Sequence, residues 1–305
     1  MNITKIVIFM LCIFSICLPS NLSGNEKLYC FTCEKRIKRN RNYFIDSNKN
    51  LFCSKRCFQR SLPKCSICKR QETKMLKSND GNIYCIRCSK LPRCNSCSQI
   101  SSKTKRLKDG RIICSTCNEE GYTDYDKIIL IFNRVREELD KKLGLITPNN
   151  IVLKVVDKKE LDKRSGQPGQ PVSGCYNYEY KTQTIIKKDH HGRIISKKTK
   201  IVNKKHTIYV LSHLKLDKLK SVLVHELTHD WHHYHYPKLK DLTDSEGAAQ
   251  YITWVYCKMN DFPHLAKEVE LNKHPVYANG FNRVKAHAQY KKLPGLKSYL
   301  DSKYR

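Results

Sequence analysis

The chain has 305 residues, 58 Lys and Arg against 28 Asp and Glu, and 16 cysteines. A hydrophobic share of 40% builds a moderate core but excludes one running through the whole length, and the length itself suits about two domains. Such a basic chain first suggests a polyanion partner.

The chain opens with Lys5 ahead of an uncharged run from Ile6 to Leu18, then a polar, small-residue exit from Pro19 to Gly24. This is the three-part layout of a secretory signal peptide. The apolar run, about 13 residues, is too short to span a bilayer comfortably. The expectation is that residues 1–24 are a signal peptide, that the protein is exported to a periplasmic or extracellular space, and that no membrane span remains after its removal. An uncleaved signal would instead leave the chain anchored.

Residues 30–117 carry twelve cysteines in three groups: Cys30, Cys33, Cys53 and Cys57; Cys65, Cys68, Cys85 and Cys88; Cys94, Cys97, Cys114 and Cys117. Five of the six pairs are C-x-x-C, which sets two thiolates for one tetrahedral metal better than for two long-range disulfides. The last two groups repeat at a 29-residue offset. Leu62-Pro63-Lys64-Cys65 matches Leu91-Pro92-Arg93-Cys94, and Asp80-Gly81 matches Asp109-Gly110, each a hairpin signal. Each group reads as a small zinc-ribbon or treble-clef module, with three structural Zn²⁺ supplying folding energy that the sparse hydrophobics cannot. Cys53-x-x-x-Cys57 departs from the pattern. The charge of residues 25–122, 23 Lys and Arg against 8 Asp and Glu, is only partly offset by twelve thiolates once three Zn²⁺ are bound. No aromatic interleaving for base stacking accompanies it, so nucleic acid is disfavoured.

Beyond Cys117, the apolar stripe Ile128, Phe132, Val135, Leu139 and Leu143 predicts an amphipathic helix from Tyr125 to Gly144, joining the modules to the next domain or packing into it. Ile151–Val156 reads as a strand and 164–174 as a loop. Lys181–Lys205 is a basic segment, read as a hairpin turning at His190-His191-Gly192. His206–Leu211 is a clear strand, expected to form the rim along which an extended substrate adds.

A helix then carries HELTH at 225–229. One helical turn separates His225 from His229, so both imidazoles can bind one Zn²⁺, with Glu226 beside it to take a proton from a bound water. Val224, Leu227 and Trp231 form the opposite, apolar stripe. A catalytic zinc takes a third protein ligand. Pro237 ends the helix, and a second begins near Asp244-Ser245-Glu246-Gly247, whose small residues at 247–249 are expected to pack against the first. Glu246 is assigned as that ligand, with Asp244 as fallback; His232, His233 and His235 share the first helix and are set aside.

The stretch 221–255 resembles the peptidase domain of the DA-one family, zinc metallopeptidases known from plants with bacterial relatives. The similarity lies in HELTH followed by Trp231, in Glu246-Gly247 with Gln250, in Gly174-Cys175, and in Tyr277-Ala278-Asn279-Gly280-Phe281. Family members carry LIM or LIM-like zinc modules before a gluzincin-type domain. The resemblance implies an α+β fold, a zincin-like metallopeptidase domain preceded by LIM-like modules. The all-cysteine groups and their longer joints depart from LIM modules. Tyr277 sits at a similar family position, either an oxyanion donor or a core tyrosine. Asp230 either orients a ligand imidazole or is a surface charge. Cys175 and Cys257 are either one disulfide or two buried thiols.

The expected organisation is a signal peptide at 1–24, a first module at 25–60, two repeated modules at 61–120, a linker helix at 121–144 and a metallopeptidase domain at 145–305. The expected activity is zinc-dependent hydrolysis of peptide bonds, with one catalytic zinc and up to three structural ones. The modules would recognise a protein partner or substrate. Two rivals are an adaptor with an inactive peptidase fold and a basic nucleic-acid-binding protein.

Overall fold

The computed structural model describes residues 27–38, 42–78, 81–166 and 171–305, with the backbone of two short strands, Lys5–Ile8 (β1) and Leu11–Cys12 (β2). Apart from those strands, the segment expected to be a signal peptide lies outside the described residues, as does Asp80 of the first Asp-Gly turn. The fold is mixed α/β and divides into two units, 1–93 with 99–103, and 94–98 with 104–305.

The first unit holds two cysteine modules. In the first, Phe44–Asp46 (β3) and Leu51–Phe52 (β4) form a hairpin that also pairs with β2. The helix Lys55–Ser61 (α1) follows, capped by the Ser54 hydroxyl, which accepts from the Cys57 N–H. Among the described residues its core is Ile37, Phe52, Phe58 and Leu62 with the buried Cys30 and Cys57, and Leu28, Tyr43, Phe44 and Leu51 pack against it. In the second, Lys74–Lys77 (β5) pairs with β1 and with Ile83–Cys85 (β6) around the buried Met75. These cores are too small to fold without a cross-link.

The second unit begins with the third cysteine group. The hairpin Thr104–Arg106 (β7) and Ile112–Cys114 (β8) leads into the short helix Ser115–Glu120 (α2). The sequence repeat groups this module with the one before it; in the fold it belongs with the helical body. Arg111 donates to the Ser212 carbonyl at 2.9 Å and to its hydroxyl at 3.0 Å, while Asp109 pairs with Arg111 at 2.7 Å and accepts from the Lys158 N–H at 2.9 Å. Backbone bonds join Tyr122 to Leu214 and to His213.

Tyr125–Leu143 (α3) runs from its Asp124 cap to Gly144, whose left-handed φ of 68° ends it. Ile128, Phe132, Val135 and Leu139 are fully buried, so of the two roles open to this helix it takes packing into the core. Ile151–Val156 (β9), Lys158–Ser165 (α4), Gly174–Lys188 (β10) and Ile194–Leu211 (β11) follow. The sheet order is β10-β11-β9, with β10 antiparallel and β9 parallel to β11. The expected hairpin turns at Asp189–Gly192. Five helices complete the unit: Leu216–His235 (α5), Leu242–Met259 (α6), Pro263–Glu270 (α7), Pro275–Ala288 (α8) and Lys292–Tyr304 (α9). One continuous core joins sheet and helices, with Trp231, Tyr251, Tyr256 and Phe132 among its largest buried side chains. No helix among the described residues is long and apolar enough to cross a membrane.

Candidate metal centre

His225 and His229 project from α5 toward Glu246, which α6 supplies one turn past its Asp241 cap. The ligand atoms converge. His225 Nε2 lies 3.2 Å from His229 Nε2 and 3.1 Å from Glu246 Oε2, and His229 Nε2 is 3.6 Å from the same oxygen. Metal–ligand bonds of 2.0–2.1 Å at a tetrahedral ion separate ligands by about 3.3 Å, so the triangle has the dimensions of three corners of such a site. Two imidazole nitrogens facing one another and a carboxylate need a shared cation or proton. Asp244, the fallback ligand, points elsewhere: it is buried and accepts from Tyr299, Lys303 and Tyr304, each at 2.7 Å.

The height of Glu246 is set by backbone contact. A Cβ on Gly247 would stand 2.4 Å from the carbonyl carbon of Gly280, and one on Gly280 would stand 2.0 Å from the Thr243 carbonyl oxygen. The small residue at 247 therefore serves the crossing of α6 with α8, rather than the contact with α5 expected for it.

Glu226 stays off the triangle. It is buried beneath the start of β10, where the Tyr176 N–H faces it. A Cβ on Gly174 would lie 2.5 Å from Val222 Cγ1 and 2.8 Å from Glu226 Oε1, so only glycine lets the strand pass this close. Burial pushes the Glu226 carboxyl up; His225 and His229 pull it back, and the result remains above the ordinary carboxylate value.

The partner of His229 is a residue set aside in the sequence. His232 Nε2 lies 2.9 Å from His229 Nδ1, and the Ser245 hydroxyl lies 3.1 Å from His232 Nε2 and 3.4 Å from His229 Nδ1. Burial, then His229, holds His232 well below the usual imidazole value, so it is a neutral acceptor. The signal available was the i, i+3 spacing from His229. Asp230 plays neither of its two expected roles. It is fully buried and pairs with His206 Nδ1 at 2.9 Å and Asn149 Nδ2 at 3.0 Å, tying α5 to β11 and to the chain before β9.

A cleft of ≈ 280 Å³ opens beside the triangle, lined by Gly174, Val222, His225, Glu226, Leu265, Val269 and Tyr277, among others. The Tyr277 ring centroid is 6.4 Å from that of His225, so this tyrosine faces the cleft. The strand at its rim is β10. Over His206–Leu211, β11 is flanked by β9 and β10 and has no free edge, which corrects the rim assigned to it. Ser173 O accepts from Leu211 N, so by antiparallel alternation Gly174 and Tyr176 turn their polar groups away from β11.

The three cysteine groups are also assembled. Within each group, as within the His225, His229 and Glu246 set, the ligand atoms lie within 4.8 Å of one another. Sulfur separations of 3.6 and 3.5 Å (Cys33–Cys53, Cys53–Cys57), 3.8 Å (Cys68–Cys85) and 3.9 Å (Cys97–Cys114) are far beyond a disulfide bond. They match the roughly 3.8 Å edge of a tetrahedron with 2.3 Å bonds. The N–H groups of Cys88, Ser96 and Cys117 point at sulfurs at 3.4 Å, the donor pattern that favours thiolates. All three groups therefore fit metal ions such as zinc. Cys175 and Cys257 are free thiols, both pushed up to about 12, with burial the leading cause. Of the two states open to this pair, the structure has the thiols.

No family model, curated protein or solved structure matches the chain.

Proposed function

We propose that the protein is a zinc-dependent peptidase of gluzincin type, in a zincin-like domain, with His225, His229 and Glu246 as ligands. The observation that carries this reading is a three-cornered ligand set beside a buried, uncoordinated carboxylate, in a cleft rimmed by a strand with a free edge. A zinc ion bound there would polarise a peptide carbonyl and lower the pKa of a water to about 7.

The chain's own residues do the rest. Glu226 accepts the proton of the attacking water on its raised carboxylate and returns it to the leaving amine. The close passage of Gly174 and the Tyr176 N–H beside it limit where the carboxylate can point. An extended substrate adds along the outward groups of Gly174 and the outward carbonyl of Tyr176, which brings its own carbonyl over the ligands. Tyr277, on the cleft wall, is placed to donate its hydroxyl to the developing oxyanion. The cysteine modules, loaded with three structural zinc ions, serve partner or substrate recognition. The segment 1–24 directs export.

The test is Glu226→Gln in the zinc-loaded protein, assayed on an unfolded protein such as reduced casein. Cleavage should fall at least 10³-fold with metal content unchanged. Equal cleavage by both proteins, or by neither, would remove the reading.

A further inference from the structure

Past the sheet, β10 and β11 run on as a two-stranded arm. β9 accompanies β11 only over His206–Leu211, and β10 is the terminal strand of its sheet. Residues 181–204 hold eight lysines and arginines against the single Asp189, and all but Asp189 are exposed. Pairing sets Gln183 opposite Lys200, Ile185 opposite Lys198 and Lys187 opposite Ser196. Alternation then puts Lys181, Lys187, Lys198 and Lys200 on one face. The other face carries Thr182, Thr184, Ile186, Lys197, Thr199 and Ile201, with the Thr184 and Thr199 hydroxyls 3.4 Å apart.

Resting on the peptidase reading, we propose that this arm is a docking rail for an acidic, extended segment of the substrate polypeptide. The segment adds as a strand to the free edge of β10, and its carboxylates lie against the lysine face. Three observations carry this. First, the edge is continuous: the strand that crosses Glu226 at Gly174 is the one that carries Lys181 and Lys187. Second, the charge selects the partner. Like charge keeps a second basic copy off the edge, whereas an acidic chain finds both backbone bonds and counter-charges there. Third, the side chains disfavour other polyanions. Tyr178 and Tyr180 stack on each other at the base of the arm, residues 181–204 hold no Phe, Tyr or Trp to stack bases, and Lys197 interrupts the face that carries Ile186 and Ile201.

The geometry also fixes a position. Lys181 and Lys187 are seven and thirteen residues from Gly174, about 23 and 43 Å at strand rise. Antiparallel addition places the acidic residues about that many positions N-terminal to the scissile bond.

The experiment uses the full, zinc-loaded protein and a variant with Lys181→Glu, Lys187→Glu, Lys198→Glu and Lys200→Glu, plus the same four positions changed to Gln. All four residues are exposed, and an unchanged Tm certifies the fold. Binding is read by anisotropy of a fluorescein-labelled 16-residue peptide of alternating Asp and Thr. Cleavage is read on an unfolded test protein carrying a 12-residue acidic tag at its N-terminus, at its C-terminus or nowhere. The expected result is at least tenfold weaker peptide binding in both variants and a kcat/KM about tenfold higher for the N-terminal tag, a gain that both variants lose. Equal binding by all three proteins overturns the rail, as does tighter binding of a 20-mer DNA or of anionic vesicles. A wild-type protein that binds the peptide selectively yet cleaves no substrate retains the docking arm and removes the peptidase reading.

Discussion

His229 Nδ1 lies 2.9 Å from His232 Nε2, and this contact decides which nitrogen of His229 is free to bind a metal. Coordination through Nε2 requires the proton on Nδ1, and neutral His232 accepts it. His232→Gln should therefore weaken zinc binding by about 10- to 100-fold, the usual cost of losing such a partner. Competition with a chromogenic chelator measures it; an unchanged affinity would mean that His232 merely fills space.

Gly174→Ala separates positioning from metal binding. The added methyl meets Val222 and the Glu226 carboxylate, while the three ligands are untouched. The expected result is a fall in kcat of at least tenfold at constant zinc content, read from steady-state kinetics and elemental analysis on one sample.

Gly280→Ala drives a methyl into the Thr243 carbonyl and against Gly247, both backbone. Overpacking of this kind costs about 1–3 kcal/mol, and a rigid neighbour places it at the upper end. Tm should drop by roughly 5–10 °C. Because Glu246 adjoins Gly247, zinc affinity should fall with it.

Acid should unlock α9. Burial works against the Asp244 carboxylate, but Lys303, Tyr304 and Tyr299 outweigh it and hold its pKa below the ordinary value. The folded pKa is depressed, so its stabilisation is present above the unfolded value, about 3.9, and is lost as pH falls through the folded value. Asp244→Asn should cost on the order of 2 kcal/mol at neutral pH, less than a fully buried pair because Lys303 keeps 39% of its side chain exposed. The variant's denaturation midpoint should also flatten below pH 4 relative to wild type.

The metal count per chain should be four. Cys57→Ser and Cys117→Ser should each remove one, with different consequences. Cys117 belongs to the same unit as the cleft, so its loss should lower both Tm and cleavage, whereas Cys57→Ser should leave cleavage of a small peptide within about twofold.

Much of the candidate centre was legible because its information is local. The spacing of His225 and His229, the opposing stripe, and a second helix start ahead of Glu246 are all short-range patterns, and so are the C-x-x-C pairs. What was missed depends on pairing partners far apart in the chain. Asp230 could not be read because His206 and Asn149 reach it only after the sheet forms. The rim was placed on β11 because its apolar run reads as a strand. That run is apolar because β11 is central and covered, which is the reason it cannot be an edge. Gly247 read correctly as a close approach, but the residue it approaches, Gly280, lies 33 positions away.

The 29-residue repeat invites a picture of interchangeable cassettes, yet its two copies have gone to different employment. One copy lies in the N-terminal unit; the other, through Arg111, Asp109 and the Tyr122 backbone, is tied into the helical body that carries the candidate metal centre. The boundary between the two units falls at Cys94, in the middle of what the sequence presents as a tandem pair.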